Sequence, residues 1–220
     1  MITGDRAITW LGDRAVRIEV PGELTRTVAR RLATALVGAS VRAGMDCVVV
    51  ESREPDPQLM ALVADIVGSG DSGPADLIDA PPALVVIHAA YDGDDLAHVA
   101  DVLGCSVDGL ANAHQAQRWR VAMMGFAPGF GYLVPEGPMT LPWSELPRRA
   151  TPRSRVPAGS IAVAGGMSAV YPAPLPGGWH LIGTTVQRMF DLDRRTPPGT
   201  GLDPSLLHTG DEVAFRQVPA

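Results

Sequence analysis

The chain has 220 residues, of which 46% are hydrophobic and 19% charged, so it is long enough to bury a sizeable core and too apolar for a disordered protein. Its formal net charge of −6 argues against nonspecific nucleic-acid binding, which needs a broad basic surface. No apolar run approaches the ~20 residues of a membrane span and no signal-peptide pattern opens the chain, so we expect a cytoplasmic protein without nucleic-acid or membrane partners.

The first 70 residues predict a small domain of strands and helices. Two segments, Ala7–Leu11 and Ala15–Val20, alternate apolar and polar residues across the turn signal Gly12-Asp13, which indicates a β-hairpin. A helix opened by Pro21 is expected next, because apolar residues recur every four positions from Leu24 to Leu36.

A strand and a second helix complete this first domain. Asp46–Glu51 is β-branched and short, and Pro57–Val67 has apolar residues at helical spacing. The order ββαβα favours a split βαβ sheet with helices on one face. The segment from Gly68 to Pro82 is rich in Gly, Ser, Asp and Pro and predicts a linker at 71–82, which leaves 83–220 as a second domain.

The second domain begins with alternating elements and continues as short strands. We expect a strand at Ala83–Ala90, helices at Asp95–Leu103 and Ser106–Gln117 with Ser106 as N-cap, and a strand at Trp119–Met124. Beyond Gly125, Gly and Pro separate short β-branched stretches, which is typical of a closed or partly closed barrel. The strands predicted there are Ile161–Ala164, Ala169–Tyr171, His180–Ile182, Thr185–Phe190 and Glu212–Arg216.

The side-chain inventory limits the chemistry. All 18 basic residues are arginine, so mechanisms that need a lysine of this chain, such as Schiff-base formation or a P-loop, are excluded. Cys47 and Cys105 lie in no metal-binding or disulfide pattern, and we predict no metal site.

Three segments have the composition of a binding site. The loop 125–133 alternates aromatic residues with Gly and Pro, which suits either a ligand pocket or a plug at one end of the barrel. Segment 146–160 places four arginines within eight positions, either as an anion site or as a solvated basic loop. Segment 171–185 contains Gly177-Gly178-Trp179, which predicts an anion-binding turn or a core tryptophan.

These segments resemble a known family, the B subunit of bacterial ATP-dependent 5-oxoprolinases. Related names for it are allophanate hydrolase subunit 1 and Kip-type kinase inhibitor, with a carboxyltransferase domain of subdomains C and D. The resemblance lies in the motifs GFAPGFGYL, PRRATPRSRVPAGS and YPAPLPGGWHLIGTT, supported by YDGDDL at 91–96, His114 and GDEVAF at 210–215. It covers nearly all of residues 83–217.

The resemblance implies an α+β chain with a small ferredoxin-like domain at 1–70 and a cyclophilin-like β-barrel domain at 83–220. It implies a subunit that is inactive alone and belongs to a heteromeric hydrolase converting 5-oxoproline, ATP and water to glutamate. The implied partners are a C-type subunit of related barrel fold, an A-type subunit and a small anionic amide substrate. ATP with Mg would be shared with, or bound by, the C-type subunit.

The leading hypothesis assigns three catalytic residues. His114 would orient or protonate a substrate carbonyl, while Arg149 and Arg153 would hold a carboxylate or phosphate; a structural capping histidine is the competing interpretation of His114. The predicted substrate-binding residues are Phe126, Pro128, Gly129, Tyr132, Ser160, Tyr171, Gly177, Gly178 and Trp179. All of these residues are expected to line one cavity.

Three other functions remain open on the sequence. The chain could inhibit a sensor histidine kinase through an exposed apolar patch, as Kip-type relatives do. It could serve an amidohydrolase acting on allophanate or a urea-related substrate. A stand-alone cyclophilin-like prolyl isomerase is a weaker third alternative.

Overall fold

The computed structural model describes residues 7–68, 83–194 and 204–219. The chain divides into two units, Met1–Pro81 and Pro82–Ala220, and each has its own buried apolar core. The predicted linker, 71–82, lies outside the described residues.

The first unit is a four-stranded sheet with two helices. Its elements are β1 (Ile8–Leu11), β2 (Ala15–Glu19), α1 (Thr25–Ala35), β3 (Ser40–Ala43), β4 (Cys47–Glu51) and α2 (Leu59–Gly68). The strand order is β1-β2-β4-β3 and all neighbours are antiparallel. Strands β2 and β3 therefore run parallel on either side of β4 with α1 between them in sequence, as a split βαβ pattern requires.

Two details of the first unit differ from the sequence-based expectation. Strand β3 was not predicted, because its four residues form a strand only by pairing along β4. Helix α1 begins at Thr25 rather than at Pro21, since Gly22–Leu24 forms a 3₁₀ turn in which the Leu24 amide donates to the Pro21 carbonyl. The buried stripe of α1 still contains Val28 and Leu32, as the periodicity predicts.

The second unit is a mixed α/β structure built on a curled seven-stranded sheet. Its elements are β5 (Leu84–Ala89), α3 (Leu96–Val102), α4 (Val107–Ala116), β6 (Arg118–Met124), β7 (Gly131–Glu136), β8 (Arg153–Val156), β9 (Ser160–Ala164), β10 (Met167–Val170), β11 (Leu175–Gly177), β12 (His180–Thr184) and β13 (Glu212–Gln217). The sheet order is β12-β9-β10-β7-β6-β13-β5, and β11 and β8 form a separate ribbon. Strands β13 and β5 are parallel, and the other pairs are antiparallel.

The curl brings the two edge strands of this sheet together. The amides and carbonyls of Ala90 and Thr184 exchange two hydrogen bonds of 2.8 Å, which link the end of β5 to the end of β12. Gly183 permits the approach, because a Cβ there would collide with the Ala90 carbonyl oxygen. The sheet is thus a partly closed barrel, one of the two forms expected from the strand pattern.

One predicted strand is wrong. Thr185–Phe190 leaves the sheet, and only Phe190 makes an isolated bridge, with Ser205. The side chain of Gln187 takes the place of a strand at the edge of β5, accepting from the His88 amide at 2.6 Å and donating to the Val86 carbonyl at 3.1 Å. Strands β7, β8 and β11 were not predicted, because their Gly, Pro and Arg residues indicate loops.

Alternation along the strands gives the sheet two different faces. Ile161 and Val163 of β9 join the main core against α3 and α4, whereas Ala162 and Ala164 join a second cluster with Phe130, Tyr171 and Trp179 on the opposite face. None of the described helices has the length and apolarity that crossing a bilayer requires.

Candidate functional site

An aromatic cavity of about 110 Å³ opens on the second face of the sheet. It is lined by Phe126, Phe130, Tyr132, Arg148, Tyr171, Pro176, Gly177, Gly178 and Trp179. The lining therefore includes residues of all three sequence segments that were predicted to form a site. We call it the aromatic cavity.

Phe130 is the centre of the aromatic wall. Its ring lies edge-on to four others, with centroid distances of 5.2 Å to Phe126, 5.0 Å to Tyr132, 5.5 Å to Tyr171 and 6.1 Å to Trp179. Edge-to-face packing of this kind fixes the rings relative to one another. The wall is therefore rigid, and Phe130, Tyr171 and Trp179 within it are almost completely buried.

The two adjacent glycines contribute shape rather than flexibility. A Cβ on Gly177 would overlap the hydroxyl of Tyr171, so only glycine lets that ring lie against the β11 backbone. The carbonyl of Gly178 accepts a 2.8 Å hydrogen bond from the Arg149 amide. This bond ties the rim of the aromatic cavity to the arginine segment.

The loop before β7 presents Phe126 at the mouth of the cavity. Phe126 is 58% exposed and has a φ of +69°, a left-handed conformation that aromatic residues rarely adopt. The turn is held by Gly125 donating to the Phe130 carbonyl at 3.1 Å and by Phe130 donating to the Ala127 carbonyl at 3.0 Å. Gly129 was predicted to admit a ligand, but a Cβ there would meet Met189 and Phe190, so this glycine serves internal packing.

Arg148 is the one basic residue among those lining the aromatic cavity. Its side chain is exposed and makes no hydrogen bond or ion pair with any residue of the described ranges. Burial raises the pKa of the Tyr171 hydroxyl, and the nearby charge of Arg148 opposes that rise. The cavity thus carries one positive charge that no described carboxylate neutralises.

Arg149 and Arg153, the two arginines predicted to bind substrate, are occupied by a carboxylate. Arg149 Nη1 lies 2.6 Å from Asp95 Oδ1, and Arg153 donates to both Asp95 oxygens at 2.8 and 3.0 Å. The Leu181 amide adds a fourth bond to Asp95, at 2.8 Å. Neither arginine is among the residues lining the aromatic cavity.

The ionised state of Asp95 is secured by these contacts. Burial alone would raise the pKa of this carboxyl, but hydrogen bonds from Arg153 and Leu181 and the charges of Arg153 and Arg149 outweigh it and hold the pKa below its usual value. The same pairing raises the pKa of the Arg153 guanidinium. Asp95 was missed as a functional residue, although it stands in the YDGDDL motif and a buried carboxylate requires cations.

His114 lies on the other face of the sheet, away from the aromatic cavity. It is completely buried among Trp119, Trp143 and Phe215, and its ring nitrogens lie 2.9 Å from the Tyr91 hydroxyl and 3.0 Å from Ser168 Oγ. Burial lowers its pKa to about 3, so the ring is neutral at pH 7. The expectation that His114 shares the cavity is not met, and its catalytic role stays a prediction.

Two further predicted residues lie outside the cavity lining. Ser160 is buried on β9 and pairs with Thr184 of β12, and Pro128 is exposed in the turn that follows Phe126. Phe126, Tyr132, Tyr171, Gly177, Gly178 and Trp179 do come together as predicted. Phe130 and Arg148 complete the set, and both stand in segments that the sequence had already indicated.

Comparison with protein families decides the classification. The model of the carboxyltransferase domain, subdomain C and D, matches residues 6–200. The chain belongs to this family. Because the match includes residues of both units, the first unit belongs to the family's domain as much as the barrel does.

The curated relatives of this carboxyltransferase-family chain include three proteins named as the B subunit of 5-oxoprolinase. Those of Haemophilus influenzae and Escherichia coli O157:H7 are 39% and 41% identical over 132 residues, which is 59% of this chain and 56% and 55% of theirs. The protein of Bacillus subtilis is 37% identical over 138 residues, 61% of this chain and 53% of its own length. The matches thus span a little over half of each relative, and the shared name describes one component of a multi-subunit assembly.

Solved structures show the same fold inside longer chains. The protein TTHA0988 superposes with a TM-score of 0.74 at 29% identity, covering 94% of this chain and 40% of that one. The urea carboxylase of Kluyveromyces lactis gives a TM-score of 0.72 at 16% identity over 97% of this chain and 22% of its own. At that identity the second likeness shows the fold alone.

Proposed function

We propose that this chain is one subunit of an ATP-dependent hydrolase that opens the lactam ring of 5-oxoproline to glutamate. Family membership and the names of the curated relatives support this assignment. The single structural observation that carries it is the aromatic cavity with its one unpaired arginine. A small flat amide with one negative charge is the class of molecule that this lining suits.

Size and surface favour such a substrate over larger ones. The cavity volume of about 110 Å³ lies well below the roughly 300 Å³ or more that is usual for drug-sized ligands. The walls are aromatic faces and edges, which gain from covering a planar ring and exclude water from it. In the proposed reaction, Tyr132 and Trp179 hold the ring while Phe126 covers it from the mouth.

ATP and Mg²⁺ do not fit this cavity. Sites for larger organic ligands usually enclose roughly 300 Å³ or more, and no carboxylate is among the lining residues. Within residues 7–68, 83–194 and 204–219 no cluster of His, Cys, Asp or Glu suits a metal ion. We propose that nucleotide binds outside this cavity and is shared with, or bound by, a C-type partner subunit of related barrel fold, with an A-type subunit completing ring opening.

The architecture of the first unit fits the same assignment. Moving the last strand of a ferredoxin-like βαββαβ unit to its front gives the order ββαββα and the neighbours β1-β2-β4-β3 found here. We propose that the first unit is a permuted ferredoxin-like domain and the second a cyclophilin-like barrel.

Reconstitution tests the proposed function. The chain is co-purified with its C-type and A-type subunits, and ATP hydrolysis is measured with 5-oxoproline, allophanate and urea in turn. We expect turnover with 5-oxoproline only, and none from this chain alone. The proposed function would be wrong if the complex turned over allophanate or urea instead, or if no complex formed.

A matched pair of exposed apolar residues connects that activity to the cavity. Phe126→Ala removes a wall at the mouth and should raise the KM for 5-oxoproline about three- to tenfold, the equivalent of ~1 kcal/mol of lost apolar contact. Leu192→Ala changes a 72% exposed side chain that does not line the cavity and should leave the KM unaltered. Equal effects of the two changes on the KM would show that the cavity does not bind the substrate.

A further inference from the structure

The arginine segment contains three side chains with different environments. Arg149 and Arg153 are bound by Asp95, and Arg153 Nη2 also lies 3.8 Å from Asp94 Oδ2. Two positive and two negative charges therefore meet at one place and sum to zero. We call these four residues the Asp95 cluster; within it, the two arginines have little net charge to offer a ligand.

Arg148 differs because it is free of the Asp95 cluster while its backbone is fixed on both sides. The carbonyl of Pro147, the preceding residue, accepts from His180 Nε2 at 3.0 Å. The amide of Arg149, the following residue, donates to Gly178 at 2.8 Å, and the Arg149 side chain is held by Asp95. Little backbone entropy is thus left for a ligand to remove when it binds Arg148.

Arg148 adds a cation to the lining of the aromatic cavity. A guanidinium offers two parallel N–H groups that match the two oxygens of a carboxylate, and such charge-assisted pairs are stronger than neutral hydrogen bonds. Tyr171 and Trp179 lie beside it in the cavity lining, so a ring held by Arg148 would meet aromatic edges and faces. One cation beside a small flat wall suits a ring that bears a single carboxylate.

We propose that Arg148 is the carboxylate-binding residue of the aromatic cavity, and that the Asp95 cluster withholds Arg149 and Arg153 from the ligand. The site then selects small cyclic monocarboxylates over uncharged rings of the same shape. This inference deepens the proposed function and rests on it for the identity of the ring. Arg148 thereby takes the carboxylate-binding role that the sequence had assigned to Arg149 and Arg153.

Calorimetric titration of the chain with two rings tests the inference. The ligands are 5-oxoproline and 2-pyrrolidone, which is the same lactam without the carboxylate. The wild-type chain should bind 5-oxoproline at least tenfold more tightly than 2-pyrrolidone, the ratio expected for one charge-assisted pair. Arg148→Gln should abolish that preference. It should weaken the binding of 5-oxoproline at least tenfold and leave the affinity for 2-pyrrolidone unchanged.

Arg155→Gln is the matched control, because Arg155 is an exposed arginine of the same segment that does not line the cavity. It removes the same charge and should leave both affinities within about twofold. The inference is overturned if Arg148→Gln retains the preference, if Arg155→Gln loses it equally, or if the wild-type chain binds the two rings alike. Displacement of 5-oxoproline by equimolar inorganic phosphate would also overturn it, since the site would then be a general anion site.

Failure of the inference and failure of the proposed function give different results. If the reconstituted complex turns over 5-oxoproline but Arg148→Gln leaves its binding unchanged, the carboxylate is held elsewhere and only the inference falls. If the chain prefers 5-oxoproline through Arg148 but the complex does not consume it, the binding assignment stands and the proposed reaction falls.

Discussion

At the scale of single residues, one buried carboxylate gives neighbouring arginines different environments. Arg148 and Arg149 are neighbours of identical type, and what separates them is Asp95, more than fifty positions earlier in the chain. A single sequence does not reveal that contact. The aromatic residues were easier to assign, because rings alternating with Gly and Pro form a wall whether they bind a ligand or plug the barrel.

His114 gives the pH prediction at this scale. Its folded pKa is about 3 against an ordinary value of 6.5, so between these pH values the unfolded chain binds a proton that the native state does not. Its contribution to the free energy of unfolding is therefore intact above pH 6.5 and is lost as the pH falls toward 3. The loss amounts to at most about 5 kcal/mol, from ~1.4 kcal/mol per pKa unit.

Urea unfolding at several pH values measures this contribution. His114→Gln removes the titrating ring and keeps groups that can hydrogen-bond to Tyr91 and Ser168. The wild-type protein should be the more stable at pH 7, and its advantage over the variant should shrink steadily between pH 6.5 and pH 4. A constant difference across that range would mean that His114 is not buried in its neutral form.

At the scale of elements, the sequence predicted those helices and strands that a local apolar periodicity or run defines. Helix α4 begins as expected, with Ser106 Oγ accepting from the Gly109 amide at 3.0 Å, and β5, β6 and β13 lie where apolar runs placed them. The errors fall on elements defined by pairing. Strands β3, β8 and β11 are short and exist through their partners, and Thr185–Phe190 has strand composition but loses its place to the Gln187 side chain.

Closure of the sheet gives the prediction at this scale. Gly183→Ala would drive a methyl group into the Ala90 carbonyl and separate β5 from β12, so we expect a loss of about 2–4 kcal/mol in the free energy of unfolding. Gly125→Ala is the control, because its Cβ would lie at an ordinary 3.8 Å from the Tyr132 ring. Chemical denaturation of both variants provides the comparison, and equal stabilities would show that the approach at Gly183 is loose.

At the scale of the whole molecule, the chain contains two cores of different size. The first unit buries a set of mostly Val and Leu side chains between one sheet and two helices, whereas the second adds large aromatic residues and packs both faces of its sheet. Every residue that lines the aromatic cavity belongs to the second unit. Stability and the proposed ligand binding should therefore reside mainly there, and the division of the chain can be tested directly.

Expression of residues 82–220 alone is that test. This unit is expected to unfold cooperatively and to bind 5-oxoproline within about threefold of the full chain, because its core and cavity are built from its own residues. Residues 1–81 alone should have a lower denaturation midpoint, since a domain of that size buries a smaller fraction of its surface. Arg148→Gln in the isolated second unit should weaken binding as much as in the full chain. A second unit that unfolds without cooperativity, or folds but no longer prefers 5-oxoproline to 2-pyrrolidone, would show that the cavity depends on the first unit.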